Sequence, residues 1–456
     1  MKNLKVLTVV GTRPEIIRLS RTIALLDEHV NHILVHTGQN YDYELNEVFF
    51  EDLELRKPDY FLNVDTSSLG AAVGDIMRKS EEVLRKEKPD AMLVLGDTNS
   101  CLAAYMAKRL HIPIFHMEAG NRSFDFNVPE EVNRRIIDHI ADFNLVYTEH
   151  ARRHLISEGL PHRRIYLTGS PMREVLDYYR EKIEKSSVVG LQSAVKESAV
   201  GSKRSADIIS EPGTWNLEPG TEFFLVSFHR EENVDNPENL MKILDVLNRL
   251  AEKYQLPMIV STHPRTRKRL EVLEESAVGS RQSAVNQNPS TIDHRSSTID
   301  NRQSKITNPM IQFMKPFGFL EYIKLQMNAR CVISDSGTIS EESAILGFPA
   351  ISLRQSMERP EAQDCGTIIL TGFDPEVVLD SIELVIKEFS SRQSADDLTP
   401  LTPRPPFPPL LQERGSGGEV ATRSIPADYQ VTDTSWRVLK LIMGNARLSN
   451  KWWGIK

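Results

Sequence analysis

The sequence predicts an α/β protein with two Rossmann-like, doubly wound domains, and three observations support this prediction. Short apolar runs recur along the 456 residues, and segments with helical spacing lie between them, as in repeated βα units. The runs are apolar at successive positions, which is typical of parallel strands buried on both faces. They form two series, and the chain is too long for one ordinary hydrophobic core.

Each series defines one predicted domain. The first, in residues 1–175, has the runs LKVLTVVG, HILVHTG, DAMLVLGD, IPIFHMEAG, FNLVYTE and RIYLTGS. The second, in residues 218–388, has EFFLVSFHR, PMIVSTHP, IQFMKP, ARCVISDSG, FPAISLR and GTIILTG. Residues 426–456 are predicted to form a C-terminal helical segment. Ligands bind doubly wound sheets at the carboxyl ends of their strands, so the two domains are expected to face each other across an interdomain cleft.

Three stretches interrupt this pattern, at residues 186–217, 276–308 and 390–425. They are rich in Ser, Arg, Gln and Pro and lack periodicity, and the sequence ESAVGS occurs in the first and again at Glu275. Such segments bury too little apolar surface to offset their ordering entropy. We therefore expect disordered low-complexity insertions, with interaction tails as the alternative.

Composition narrows the classes of ligand and location. The chain has 55 Lys and Arg against 63 Asp and Glu, a balance that argues against nucleic acid as a partner. Its three cysteines are scattered without metal-type spacing, so we expect a reducing compartment and no thiol site. No signal-like segment or membrane-length apolar run is apparent, so the expected location is the cytoplasm, without membrane association.

A strand-to-helix turn in the second domain predicts a phosphate site. The run CVIS ends in Asp335, Ser336, Gly337 and Thr338, and a helical stretch with Glu342 follows. A helix N-terminus presents free N–H groups and a positive dipole end, which suits phosphate. A glutamate one turn into that helix can accept hydrogen bonds from a ribose diol. The alternative is an ordinary capping box in Thr338-x-x-Glu341.

Three carboxylates are predicted at the strand ends of the first domain. Asp97 and Glu118 each follow a strand, and Glu130 opens a helix after Pro129. Clustered carboxylates raise one another's pKa, so that one can hold a proton while another acts as a base. Taken singly, Asp97 could be a helix cap. Glu130 could simply interact favourably with the positive end of the helix dipole.

Basic residues also follow predicted strands. Arg13 and Arg18 lie at and one turn beyond the end of the first strand, and His229 and Arg359 follow strands of the second domain. Arginine binds two phosphate oxygens at once, and histidine can titrate or bind phosphate near neutral pH. Each of them alone could equally be a polar surface residue.

Taken together, these motifs resemble the non-hydrolysing UDP-N-acetylglucosamine 2-epimerase family. The shared motifs occur in family order and cover the chain outside the three insertions; they are GTRPEI, GDTN, HMEAGNR, PEEVNR, HREEN, SDSGTISEE and ERPE. The resemblance implies a GT-B-type pair of domains, a homodimer, a UDP-activated 2-acetamido sugar as substrate, and neither a metal nor another cofactor.

The resemblance also implies individual roles. Asp97, Glu118 and Glu130 match catalytic acids, and Tyr322 falls where an aromatic ring flanks the uracil. Glu342 matches the ribose ligand. The residues matched to the diphosphate are Ser336, Gly337 and Thr338, with Arg13, His229 and Arg359 as supporting cations.

One position departs from the enzymes that act on UDP-N-acetylglucosamine, which have lysine where this chain has Arg18. Several segments, including HTGQNYDYELNEVFF and STHPRTR, look closest to the UDP-N-acetyl-L-fucosamine synthase branch, which epimerises UDP-2-acetamido-2,6-dideoxy-L-talose for capsule or O-antigen. A guanidinium in place of an ammonium is consistent with a changed sugar pocket.

The family reaction removes the C2 proton, expels UDP, and then returns both so that C2 is inverted. Four other functions stay open from the sequence. They are a UDP-N-acetylglucosamine 2-epimerase giving UDP-N-acetylmannosamine, a hydrolysing epimerase, a GT-B glycosyltransferase, and a non-catalytic nucleotide-sugar sensor.

Overall fold

The structure is a computed structural model that divides into two compact units. The first comprises Met1–Lys182, Ser356–Cys365 and Ile425–Lys456, and the second comprises Ile183–Gln355 and Gly366–Ser424. The residues that the structure describes are 3–38, 49–186, 209–210, 220–263, 266–272, 308–396 and 425–455.

The sheet of the first unit has seven parallel strands in the order β3-β2-β1-β4-β5-β6-β7. Its strands are Lys5–Val10 (β1), Asn31–His36 (β2), Tyr60–Phe61 (β3), Ala91–Leu95 (β4), Ile114–Met117 (β5), Phe143–Val146 (β6) and Ile165–Leu167 (β7). The strand order reverses between β1 and β4, which is where doubly wound sheets bind ligands.

The sheet of the second unit is also parallel, in the order β14-β13-β12-β9-β10-β11-β8. Its strands are Ile209–Ser210 (β8), Phe224–Ser227 (β9), Met258–Ser261 (β10), Ile311–Met314 (β11), Cys331–Ser334 (β12), Ala350–Ser352 (β13) and Ile369–Leu370 (β14). Here the order reverses between β9 and β12. The predicted fold class of two doubly wound parallel α/β domains is confirmed.

Helices connect the strands of both sheets. Their bounds are Arg13–His29 (α1), Leu69–Glu87 (α2), Ala103–Arg109 (α3), Pro129–Ile140 (α4), Glu149–Ser157 (α5), Met172–Lys185 (α6), Glu231–Val234 (α7), Pro237–Tyr254 (α8), Phe319–Asn328 (α9), Ile339–Leu346 (α10), Glu361–Asp364 (α11), Pro375–Asp396 (α12) and Thr434–Trp452 (α13). Within the part of the chain that the structure describes, every helix is too short or too polar to cross a bilayer.

The central strands are buried along their length, as their continuous apolar runs predict. All five residues of β4 and all four residues of β12 are buried. The apolar side chains of each unit form a core on its own sheet. The buried strands therefore determine where the loops after their carboxyl ends begin.

Three features differ from the bounds expected from the sequence. Strand β8 lies inside the stretch 186–217 and pairs with β11, and α12 continues through residue 396, beyond the expected insertion boundary at 390. The segments Ser356–Cys365 and Ile425–Lys456 both belong to the first unit, where α13 packs against α1. Most of the three low-complexity stretches lies outside the described residues.

Candidate functional site

The first unit carries a cluster of charged side chains around the ends of β1, β4 and β5, which we call the carboxylate cluster. It comprises Asp97, Glu118 and Glu358 with Arg18, Arg134 and Arg359. All six belong to the first unit. The cluster lies at the strand-order reversal, where the sheet topology places a ligand site.

Asp97 follows β4 and forms an ion pair with Arg134 of α4. Glu358 lies 3.3 Å from the same guanidinium. Burial raises the pKa of Asp97 most strongly; Arg134 opposes the rise, but the charges of Glu358 and Glu118 add to it, and the net pKa is above its ordinary value. The Asp97 side chain is 17% exposed, so it is a carboxyl group that can hold a proton and still be reached.

Glu118 follows β5 and lies between two arginines. Its Oε2 pairs with Arg18 of α1, and its Oε1 pairs with Arg359. Burial acts to raise the pKa of Glu118, but the two guanidinium groups outweigh burial and lower it. Two carboxylates at neighbouring strand ends thus have pKa values displaced in opposite directions, which is a recurrent arrangement in acid–base sites.

The backbone around Glu118 is unusual in two places. Glu118 itself has a φ of 66°, a left-handed conformation that costs a non-glycine residue about 1–2 kcal/mol and often marks functional sites. Gly120 has a φ of 83°, and a Cβ atom there would lie 2.4 Å from the carbonyl oxygen of Ala151. Only glycine fits this turn, which explains the Gly in the HMEAG motif.

Helix α4 supports Asp97 from one side. Arg134 Nη1 donates to Glu131 Oε2 at 2.8 Å, and Asn133 Nδ2 donates at 3.0 Å to the carbonyl oxygen of Asp97. Glu130, the predicted catalytic acid, lies half-buried in the first turn of this helix. The sequence pattern did not single out Glu131 or Glu358. The predicted catalytic acid at the start of this helix is the neighbouring Glu130, and the predicted ligand beside Glu358 is the cation Arg359.

A third residue that the sequence did not single out, Glu15, joins two strand-end loops. Its Oε2 accepts the backbone N–H groups of Gly11 at 2.8 Å and Thr12 at 2.7 Å. Its Oε1 accepts hydrogen bonds from the hydroxyl groups of Thr98, at 3.0 Å, and Ser100. Burial raises the pKa of Glu15 despite these donors. The pattern Thr12-x-x-Glu15 is a capping box, a sequence signal that could have revealed it.

The predicted phosphate cations of the first unit have different surroundings. Arg18 is buried in the carboxylate cluster. Arg13 is the first residue of α1, and its Cζ atom lies 5.3 Å from the centre of the Phe49 ring. Arg359, a predicted supporting cation for the phosphates, forms an ion pair with Glu118.

In the second unit, Asp335 and His229 meet at the reversal between β9 and β12. His229 Nδ1 lies 3.0 Å from Asp335 Oδ1. Burial acts to raise the pKa of Asp335, but His229 and the backbone N–H groups of His229 and Arg230 outweigh it and lower the pKa to about 2. Asp335 is therefore an ionised carboxylate at neutral pH.

The predicted phosphate turn follows Asp335. Ser336 Oγ lies 2.9 Å from Thr338 Oγ1, and Thr338 N donates to Ser336 Oγ at 3.3 Å. Thr338 makes no side-chain cap bond to α10, so the alternative capping box is not formed. A Cβ atom at Gly337 would lie 3.7 Å from Arg354 Nη1, which places a cation beside this turn that the sequence analysis missed.

Tyr322 and Glu342, the predicted uracil and ribose residues, come together near the start of α10. Glu342 Oε2 accepts a hydrogen bond from Gln326 Nε2 at 2.6 Å, and Gln326 lies one turn after Tyr322 in α9. Burial raises the pKa of Tyr322, and the charges of Glu342 and Asp335 add to the rise. The three predicted elements of a nucleotide site thus lie within one unit.

Among the described residues, no group of three or more His, Cys, Asp or Glu side chains is arranged to hold a metal ion. The carboxylates of the cluster instead have guanidinium partners.

Comparisons with known proteins agree on one family. A model described as UDP-N-acetylglucosamine 2-epimerase matches residues 24–401. The UDP-N-acetylglucosamine 2-epimerase of Methanococcus maripaludis is 36% identical over 384 residues, which cover 84% of this chain and 92% of the relative.

Solved structures are similar over nearly the whole chain. The structure of UDP-N-acetylglucosamine 2-epimerase from Rickettsia bellii has 39% sequence identity, a TM-score of 0.73 and coverage of 99% of both chains. The Methanocaldococcus jannaschii UDP-GlcNAc 2-epimerase in complex with UDP-GlcNAc and UDP has 28% identity and a TM-score of 0.73, and the match covers 97% of this chain and 100% of that one.

Proposed function

This chain belongs to the UDP-N-acetylglucosamine 2-epimerase family and is an isomerase of that class, and from this premise we propose how it acts. It inverts C2 of a UDP-linked 2-acetamido sugar by eliminating UDP and adding it back. The observation that carries the proposal is the arrangement of Asp97 and Glu118 at neighbouring strand ends: Asp97 shares one arginine with Glu358, whereas Glu118 has two arginines. This arrangement displaces their pKa values in opposite directions. An epimerase must remove a proton and return one, so it needs carboxyl groups that differ in proton affinity.

Asp97 is the proposed proton carrier. Its raised pKa brings its proton affinity closer to neutral pH, where a general acid or base is most effective. Arg134 and Asn133 hold it from α4, so that its side chain keeps one position while it gains and loses the proton. Glu130, in the same helix, is proposed to act with it.

Glu118 has a different proposed part. Its two arginine partners lower its pKa, so it remains a carboxylate and is the weaker base of the two. In that state it holds Arg18 and Arg359 side by side. We assign Glu118 to the face of the sugar opposite Asp97. In one direction of the reaction the Glu118 carboxylate takes the C2 proton and protonated Asp97 gives a proton to the other face as UDP is added back, and in the reverse direction the two roles are exchanged. The guanidinium groups are available to the negative charge that develops as UDP leaves.

The second unit is proposed to bind UDP. The turn Ser336–Thr338 supplies hydroxyl and N–H groups at the start of α10, with Arg354 beside it, a combination that suits a diphosphate. Glu342 is proposed to accept hydrogen bonds from the ribose, and Tyr322 to flank the uracil. His229 and Arg13 complete the proposed set of cationic ligands.

The sugar itself has two candidates. We propose UDP-2-acetamido-2,6-dideoxy-L-talose, giving UDP-N-acetyl-L-fucosamine for capsule or O-antigen, because Arg18 places a guanidinium against Glu118 where enzymes specific for UDP-N-acetylglucosamine have lysine. The second candidate is UDP-N-acetylglucosamine, and the names of the relatives favour it. A homodimer is part of the same proposal.

Incubation of the protein with each UDP-sugar in heavy water tests the function. The expected result is deuterium at C2 of the true substrate and its epimer, observed by proton NMR, with UDP returned to the sugar. A glycosyltransferase would leave C2 protonated, and a hydrolysing epimerase would accumulate UDP and free sugar. Absence of C2 exchange with every sugar would refute the proposal.

The variant Arg18→Lys separates the two sugars. If Arg18 shapes a pocket for the dideoxy sugar, lysine should shift the ratio of kcat/KM values towards UDP-N-acetylglucosamine by about tenfold, the size of effect expected from one altered pocket contact. Arg21→Lys, on the same helix but outside the cluster, is the control and should leave the ratio unchanged. An equal loss on both sugars would show that Arg18 does not discriminate between them.

A further inference from the structure

Asp335 is fully buried at the end of β12. Its carboxylate accepts several hydrogen bonds from the loop that follows β9. Its Oδ2 accepts the backbone N–H groups of His229 and Arg230, both at 2.9 Å, and the Asn233 side-chain amide at 2.7 Å. All three donors lie within the HREEN segment. The carboxylate therefore fixes that loop across the strand-order reversal of the second unit.

The other oxygen of Asp335 faces the imidazole. Oδ1 lies 3.0 Å from Nδ1 of His229. The His229 side chain is 42% exposed whereas that of Asp335 is inaccessible, so solvent and ligands reach the ring from the side away from the carboxylate. That side carries Nε2. The neighbouring His263 ring has its centre 5.9 Å from that of His229.

From this geometry we infer that Asp335 is a positioning residue that holds the neutral His229 ring in its Nδ1–H tautomer and presents Nε2 to the diphosphate of the nucleotide sugar. The inference rests on the proposed function and deepens it. The partner of one ring nitrogen decides which nitrogen carries the proton, and an ionised carboxylate can only accept a hydrogen bond. The low pKa of Asp335 keeps the carboxylate in that state.

The ligand implied at Nε2 is a phosphate oxygen. In the proposed tautomer Nδ1 carries a proton beside Asp335 Oδ1, so further protonation of the ring can occur only at Nε2, and the resulting imidazolium points its second N–H at the ligand. The adjacent carboxylate balances the charge of that imidazolium. A ring in the Nε2–H tautomer would have no N–H group facing Asp335, so the carboxylate would not hold its orientation.

Asp335→Asn is the decisive variant because it preserves size and one acceptor. The amide oxygen can still accept the backbone N–H groups of His229 and Arg230, which cannot reverse their direction. The amide NH₂ group then faces Nδ1, which must become an acceptor. The variant is therefore expected to keep the loop in place and to move the His229 proton to Nε2.

NMR of the full chain labelled with ¹⁵N-histidine measures the tautomer directly. The chain has 12 histidines, and the His229→Asn spectrum identifies the signals of His229 by their loss. At a pH at which the ¹⁵N spectrum shows the His229 ring to be neutral, the wild-type protein should have the Nδ1–H tautomer and Asp335→Asn the Nε2–H tautomer. An Nε2–H tautomer in the wild-type protein overturns the inference, even if the variant fails to fold.

Kinetics test whether the tautomer matters. Loss of the orienting carboxylate is expected to lower kcat by roughly 100-fold or more, as tautomer reversal does in other histidine sites. Because both changes act on one ring, Asp335→Asn/His229→Asn should be no worse than His229→Asn alone. Losses that multiply would show that Asp335 acts independently of His229.

A control variant separates positioning from stability. Asn233→Ser removes one hydrogen bond to the same carboxylate but leaves the contact with the ring, so it should lower stability without altering the tautomer. The tautomer is read without any sugar nucleotide. If the wild-type protein has the Nδ1–H tautomer but shows no C2 exchange, the proposed function is refuted and the positioning role of Asp335 stands. If it shows C2 exchange but has the Nε2–H tautomer, the positioning role is refuted and the proposed function stands.

Discussion

Each unit has a buried carboxylate at the reversal point of its sheet, and the two differ in their response to burial. In the first unit, Glu15 accepts the N–H groups of Gly11 and Thr12, and its pKa is raised. In the second, Asp335 accepts the N–H groups of the loop after β9, yet its pKa is lowered to about 2. The difference is the partner: Glu15 has neutral donors, whereas Asp335 has His229.

The partners of each carboxylate also explain why the pKa values of Asp97 and Glu118 differ within the first unit. Asp97 shares one arginine with Glu358, and its pKa is raised, whereas Glu118 has two arginines, and its pKa is lowered. The number of cationic partners, rather than burial alone, thus sets the proton affinity. The first unit combines both kinds of carboxylate and suits proton transfer, and the second unit suits an anion.

Asp97→Asn is expected to have the largest effect on activity. Asparagine keeps the size of the side chain but cannot take up a proton, so deuterium incorporation at C2 should fall by about 10²- to 10⁴-fold, the usual contribution of a general acid or base. UDP affinity, measured by calorimetry, should stay the same because Asp97 is not among the proposed UDP ligands. Retained exchange would remove Asp97 from the mechanism.

Glu118→Gln should instead have its largest effect on stability. The change removes the charge that balances Arg18 and Arg359 in a buried site, and breaking a buried ion pair from one side costs on the order of 3 kcal/mol. Denaturant unfolding should record this loss, with Asp97→Asn as the matched comparison and a smaller expected loss. Equal losses would contradict the distinction between the two carboxylates.

Sequence reasoning found the strands and the strand-end acids, because apolar runs and their following residues are local signals. The two-residue strands β3 and β8 carry too little pattern to be recognised. Pairings were harder to predict: Arg359 and Glu118 are 241 residues apart, and only the folded chain brings them together. Local pattern alone also misleads, since Thr12-x-x-Glu15 forms a capping box and Thr338-x-x-Glu341 does not.

Asp335 should make the free energy of unfolding depend on pH in the acid range. Its pKa falls from an ordinary 3.8 to about 2 on folding, so the stabilisation is present above about pH 4 and is lost as the pH falls through 2. A shift of this size corresponds to roughly 2 kcal/mol. Denaturant unfolding should show Asp335→Asn to be less stable by about this amount at pH 7, and the difference should shrink below pH 4. A constant difference across that range would contradict the assignment.

Glu15→Gln should have the smallest effect on stability. The size of that effect tests the comparison between Glu15 and Asp335. Because the pKa of Glu15 is raised, the folded state favours its protonated form, and any stabilisation from that proton is lost as the pH rises past 4.5. Glutamine imitates the protonated group: its oxygen can accept from Gly11 and Thr12, while the hydroxyl groups of Thr98 and Ser100 can rotate to accept its NH₂. The free energy of unfolding at pH 7 should therefore change by less than about 1 kcal/mol.

Glu15→Ala provides the control for this variant. It leaves two buried N–H groups without their acceptor, which should cost about 2 kcal/mol. If Glu15→Gln proved as damaging as Asp335→Asn, the negative charge itself would be holding the first loop. Neutral donors would then be sufficient to keep a buried carboxylate ionised, and the imidazole of His229 would no longer explain why the two units differ.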